Sequence, residues 1–372
     1  VKSIAFSTAS SGTSLVETLI ASALGIFMLA GMLQIMNGTR QTNRLEGALT
    51  DLQETGRFAI DVLSETVSYR GFQGCMIPAT LDVTEEDNIN WDNVTYTQPR
   101  ALNFPSTNVA QTALRGFEVD AAGLWTPDPT VASSNSDMVA LKNSTSIQPI
   151  PGSDVISIQY ADPTGVPLSS NMNSNFSDVV IDDTSLNLQQ NDLVFVGDCA
   201  LGDLFRVSNT PGSIAPIALE HSISSNSANS LRRAYTVDAQ LRRFHVDTFF
   251  VGDTGRRNIT NNPIYALFKY DAEGNTSELI EGVETLQILY GEKSANGSIA
   301  YRTSSDALNM RKVISVQIGL LVTSTIEAAS DVDTNIYNLP GETIGPNTTI
   351  AHSGGKFFRK VFSRTVQLRN RS

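Results

Sequence analysis

The longest pattern in the chain is an unbroken apolar run over residues 15–36, in which Glu17 is the single charged position. A helix of that run is about 33 Å long at 1.5 Å per residue, enough to cross the hydrocarbon core of a bilayer. Beyond it the pattern changes, with no proline to end the helix. Leu45, Leu49, Leu52, Gly56, Ala59, Leu63 and Val67 recur at spacings of three and four, the stripe of an amphipathic helix. Together the two patterns predict one helix over 13–70, membrane-spanning at 15–36, with its second half laid on a sheet. Gly71 and Gly74 supply the stop.

Further along, the apolar positions alternate as strands do. Residues 156–160 alternate clearly, and 193–196 and 204–207 flank a GDCALGD turn that reads as a hairpin carrying Cys199. Strands are expected at 244–250, 264–270, 285–290, 313–323 and 356–368, with turns at 271–275 and 293–297. Residues 78–150, rich in Asn, Thr, Ser and Pro, read as short strands and loops, and 208–230 as an inserted loop. A long helix followed by hairpin-linked strands gives an α+β fold with a mainly antiparallel sheet and an enlarged β-rich C-terminal region over 71–372. No internal repeat is evident.

Composition narrows the function classes. With 372 residues at 41% hydrophobic, the chain can fill the core of one large domain or two smaller ones. Charge is sparse at 17% and the net charge is −12, which argues against bulk attraction to nucleic acid or anionic lipid. Cys75 and Cys199 suit a single bridge in an oxidising compartment, and two buried thiols are the other reading. A bridge would tie the end of the long helix to the hairpin. The balance of Lys2 against Arg40 and Arg44 does not favour an N-inside orientation. Ala21-Ser22-Ala23 has the small residues of a signal-peptidase site, yet it lies at the start of the apolar run instead of after it.

The N-terminal sequence SGTSLVE (11–17) places a glutamate at the fifth position after Gly12, the pattern of a type IV prepilin. The stretch RQTNRLEGALTDLQETGRFAIDVLSETVSYRGFQGC (40–75) is similar to the signature that follows the membrane segment in the PilW family of minor pilins. So are GSDVISIQYAD (152–162), NDLVFVGDCALGDLFRVS (191–208), LIEGVETLQILYGE (279–292), VISVQIGLLVTS (313–324) and RKVFSRTVQLRNR (359–371). The resemblance thus extends along the chain, with variable loops between the blocks. It implies a pilin-like fold, a leader over 1–12, cleavage by prepilin peptidase between Gly12 and Thr13, and N-methylation of Thr13. Thr13 stands where such proteins usually carry Phe or Met, and the leader has one lysine where several basic residues are usual. Glu17 would set register in assembly, paired with the new α-amine of a neighbouring subunit. Implied partners are the other minor pilins, the major pilin, the prepilin peptidase, the assembly platform and a tip adhesin. The implied location is the inner membrane, with the globular part in the periplasm, and then the pilus. A J-type pseudopilin of type II secretion would share this N-terminal chemistry. A membrane-anchored module that binds a surface ligand is the alternative from another class.

Other motifs are weaker. Ala21, Gly25 and Gly31 are small residues that permit close helix approach. Asp331, Asp333, Asn335, Tyr337 and Glu342 reproduce much of a calcium-loop spacing, but Ile336 stands where that loop needs glycine, so no metal is expected. Basic residues at 232–233, 242–243, 256–257 and 356–371 read as solvated strand faces more readily than as a nucleic-acid stripe. His221, His245 and His352 are isolated, and the acidic pairs Glu85-Glu86 and Asp182-Asp183 fall in polar stretches. No nucleophile elbow, phosphate loop or dinucleotide fingerprint occurs, so neither catalysis nor a cofactor is expected.

Overall fold

The computed structural model describes residues 14–75, 94–96, 113–130, 136–145, 147–294, 296–304 and 308–368. One helix, α1 (Leu15–Ser68), runs 54 residues without a break. Ser14 caps its start by accepting from the Val16 amide at 3.4 Å. At the other end Gly71 takes a φ of +67°, and the chain turns onto the sheet through Gly71 N donating to Gln159 O at 2.9 Å and Ala161 N donating to Phe72 O at 2.7 Å. The Arg242 guanidinium over the Phe72 ring holds this exit.

The strands follow in chain order: β1 (Val94–Tyr96), β2 (Leu114–Val119), β3 (Trp125–Thr126), β4 (Val155–Ala161), β5 (Val166–Pro167), β6 (Val179–Ile181), β7 (Leu193–Gly197), β8 (Gly202–Arg206) and β9 (Ile217–Leu219). Then come β10 (Gln240–Arg257), β11 (Pro263–Tyr270), β12 (Thr276–Glu281), β13 (Val283–Lys293), β14 (Ile299–Arg302), β15 (Val313–Thr323), β16 (Tyr337–Leu339), β17 (Glu342–Ile344) and β18 (Arg359–Gln367). A short helix, α2 (Ser136–Lys142), lies between β3 and β4. The larger sheet runs β1-β8-β7-β10-β4-β2-β3, with β5, β11 and β12 joined through β10; a four-stranded sheet runs β14-β13-β15-β18. Among these strands β1 and β8 pair in parallel, and the other named pairs are antiparallel. The fold is therefore α+β, a long N-terminal helix on antiparallel sheets.

The second half of α1 packs on β12, β15 and β18. Leu52, Ala59, Ile60, Leu63 and Val67 enter a core shared with Ile156 and Ile158 of β4, Phe249 of β10, and Ile288, Val316 and Ile318 of the smaller sheet. Gly56 is a seam residue for a specific reason: a Cβ there would fall inside the Phe362 ring of β18. A second apolar cluster gathers around β6, β7, β8 and β9, with Tyr235 and Leu241.

The two sheets meet at residues 152–154. Asp154 N donates to Leu286 O at 2.8 Å, while Ser153 Oγ accepts from Leu286 N at 3.0 Å and Asp154 Oδ2 from Ile288 N at 2.8 Å. Side chains thus substitute for a strand along the part of β13 that β14 leaves open. Burial first, and then the neighbouring Glu118 carboxyl, push Asp154 well above the usual carboxylate range.

Several details differ from the sequence reading. β10 is much longer than 244–250, because charged residues interrupt its apolar pattern on both sides, Arg242 and Arg243 before that span and Asp253, Arg256 and Arg257 after it. The expected loop over 208–230 contains β9, which pairs with β6. The polar stretch before residue 150 holds β2 and α2.

Candidate functional site at the exposed helix

Among the described residues, nothing packs against residues 15–36 of α1. Leu15, Leu19, Leu24, Phe27, Met28 and Met32 are all more than half exposed, and Phe27 reaches 83%. Apolar burial contributes about 25 cal/mol per Å², so a face of this size exposed to water is strongly unfavourable. The segment is long and apolar enough to cross a membrane, by length and composition. Its hydroxyls are already satisfied: Thr18 Oγ1 donates to Ser14 O at 3.1 Å, and Ser22 Oγ to Thr18 O at 2.7 Å. No hydroxyl there needs water, which suits an apolar surround.

Glu17 lies in the first turn of α1, where the exposed amide dipoles favour a negative charge. Gly12 and Thr13, the expected cleavage and methylation positions, lie outside the described residues, as do the leader and the Glu85-Glu86 pair. Gly25 and Gly31 have no neighbour within 4 Å, so both small faces are open.

Cys75 and Cys199 are bonded, with Cα atoms 4.9 Å apart and a sequence separation of 124. The bond connects the segment leaving α1 to the β7–β8 turn, whose Asp198 carboxylate accepts from the amides of Ala200 and Leu201.

The smaller sheet is locked to the loop before β16 by a buried ion centre that the sequence did not reveal. The Arg359 side chain is 0% exposed. It donates to Glu284 Oε2 at 2.6 Å and Oε1 at 2.9 Å, to Asp333 Oδ2 at 3.0 Å, and to Ser353 Oγ at 2.8 Å. Burial pushes Asp333 up, but the Asn335 amide, the Tyr337 hydroxyl and Arg359 outweigh it and hold the carboxyl below its ordinary range. Asp333, Asn335 and Tyr337 of the calcium-like spacing are thus joined in a counter-ion site for an arginine. Among the described residues no cluster of His, Cys, Asp and Glu is placed to hold a metal.

The basic pairs are dispersed and mostly matched. Arg243 pairs with Asp192 at 2.9 Å, Arg256 with Glu278 at 2.5 Å and Glu281 at 2.7 Å, and Arg257 with Asp253 at 2.9 Å. Arg233 meets Asp198. Arg364 reaches from β18 to Asp61 of α1 at 2.5 Å. Arg369 and Arg371 lie outside the described residues. His221, His245 and His352 sit apart, on Ser177 O, Asp162 and Asn335 O.

The rod is thus half seated on antiparallel sheets and half bare. Residues 249–370 match the family model of type IV pilus-assembly protein W. The match runs from within β10 to just past the last strand, so it contains β11 to β18, the Arg359 centre and, but for Arg371, the last three sequence blocks quoted above. It supports the PilW-family reading and a part in type IV pilus assembly. The N-terminal start and α1 lie outside the matched span. No curated protein and no solved structure matches the chain.

Proposed function

We propose that this chain is a minor pilin of the type IV pilus. It enters the inner membrane as a precursor, loses residues 1–12 to prepilin peptidase between Gly12 and Thr13, and is N-methylated on Thr13. It then joins other minor pilins at the tip or initiation complex, supporting twitching motility, adhesion and DNA uptake. The observation that carries the reading is α1 itself, one continuous helix with a bare apolar half and a half seated on sheet.

Assembly exchanges lipid for protein around residues 15–36. In that dry environment Glu17 would be costly alone, by roughly 2.5–3.5 kcal/mol on insertion scales. An ion pair with the α-amine of a neighbouring Thr13 offsets this and fixes axial register. The Cys75–Cys199 bond suits an oxidising compartment and so supports a periplasmic globular part. The role is structural, with no catalytic residue and no cofactor required.

The test is Glu17→Ala in cells that make pili. The variant should remain membrane-inserted and be missing from sheared pili; recovery equal to wild type in the filament fraction refutes the assignment. In a strain without the processing peptidase, the protein should keep the mass of the unprocessed chain.

A further inference from the structure

Where the rod leaves its apolar half, α1 and the loop between β15 and β16 enclose an open cleft of about 380 Å³. The helix side carries Asn37, Arg40, Gln41 and Arg44, and the loop side residues 327–329. Arg40 and Arg44 are one helical turn apart and share a face, as do Asn37 and Gln41. Both arginines are exposed, and neither has an ion-pair partner among the described residues, whereas most arginines of the globular part do. Glu327 pairs with neither; its Oε1 lies beside Gly355. Lys356 O accepts from Ala328 N at 3.1 Å and Ala329 N at 3.0 Å, which fixes the backbone on the loop side of the cleft. Ile326, just before the cleft residues in the loop, is 44% exposed.

Depth along the rod says what such a cleft would meet. Arg40 and Arg44 stand about 6 and 12 Å past Met36, at 1.5 Å per residue. The headgroup layer occupies about 5–7 Å on each side of the hydrocarbon core. Long arginine stems reach back toward that layer while their charged ends stay polar. We infer that this cleft binds the phosphate of an anionic membrane lipid before the subunit enters a filament. Guanidinium groups bond phosphate oxygens in pairs, the Asn37 and Gln41 amides add donors, and Ile326 rests against the acyl boundary. A net charge of −12 excludes bulk attraction, so the preference has to come from this local group. The inference rests on the anchor role proposed above.

The test uses the full chain in detergent micelles, with retained lipid read by native mass spectrometry. Phosphatidylglycerol, phosphatidylcholine of the same acyl length, and inorganic phosphate are offered in separate arms. Wild type should retain phosphatidylglycerol about ten-fold over phosphatidylcholine. Arg40→Gln with Arg44→Gln should abolish that preference, and Arg57→Gln, an exposed arginine farther along α1, should keep it. Equal retention of both lipids by wild type, a preference that survives the double substitution, or equal binding of inorganic phosphate overturns the inference. It is also overturned if the double variant keeps its lipid but drops out of filaments, since the arginines then face another subunit. Bilayer flotation separates the two levels: a chain washed off vesicles by carbonate refutes the anchor, whereas an anchored chain without headgroup preference refutes only the lipid site.

Discussion

The two halves of α1 share one backbone geometry and differ in every other respect. Residues 15–36 are apolar all round and exposed, while beyond residue 45 most apolar residues form one stripe that is buried, with Phe58 left 49% exposed on the other side. Small residues make the contrast concrete. Gly31 faces open space, whereas Gly56 is a socket for an aromatic ring. The lesson is that a helix written for two surroundings needs no break between them. A change in periodicity is enough, because hydrogen bonding inside the helix is indifferent to what lies outside.

The contrast can be attacked from the sheet. Arg359→Ala leaves Glu284 and Asp333 buried without their cation, and should destabilise the globular part by about 3–5 kcal/mol. Because Arg359 opens the strand that carries Phe362, the second half of the rod should loosen with it. Chemical unfolding followed by proteolysis near residue 60 reads both effects, while carbonate extraction should find the first half still anchored.

A matched pair of truncations sharpens the same point. Leu63→Ala, at a fully buried position, should cost about 2–5 kcal/mol. Leu24→Ala, at an exposed one, should stay within about 0.5 kcal/mol in the same unfolding assay. Equal effects from the two would erase the distinction between seated and bare halves.

Gly56→Val and Gly31→Val form a smaller pair. The first must displace Phe362, at about 1–3 kcal/mol for overpacking, and the second meets nothing. Thermal unfolding distinguishes them directly.

The smallest effect concerns pH beneath the seated half. Asp154 has its folded-state pKa raised, so its contribution is complete below the unfolded value near 4 and is lost as pH rises through the folded one. Asp154→Asn can still accept from Ile288 N and has no proton to lose. Its Tm should exceed wild type by a few degrees at pH 8, with the gap closing toward pH 4. A gap that widens on acidification contradicts the sign. Asp333 works the opposite way: its depressed pKa gives stability above the unfolded value, and that stability is lost as pH falls through the folded one.

Much of this was legible in the residues. The bare run, the seam through Leu52 and Leu63, the strand at 313–323 and the hairpin around Cys199 follow from periodicity and turn chemistry, which are local. The partner of Gly56 was not legible, since Phe362 lies on the far strand of the smaller sheet. Nor was the Arg359 centre, whose members at 284, 333 and 359 are brought together by sheet pairing. Asp333 drew attention through a local spacing that suggested a metal, and the charge it meets instead comes from a distant strand. Residues 152–154 carry no pattern because side chains there do the work of a strand.

Tension drawn along the rod that its seat on β12, β15 and β18 does not take up leaves α1 at Tyr69 and reaches Cys75 a few residues later. The covalent link then gives that load a direct route to the β7–β8 turn. A subunit wired this way could be hauled by its stem without unravelling the segment that follows it.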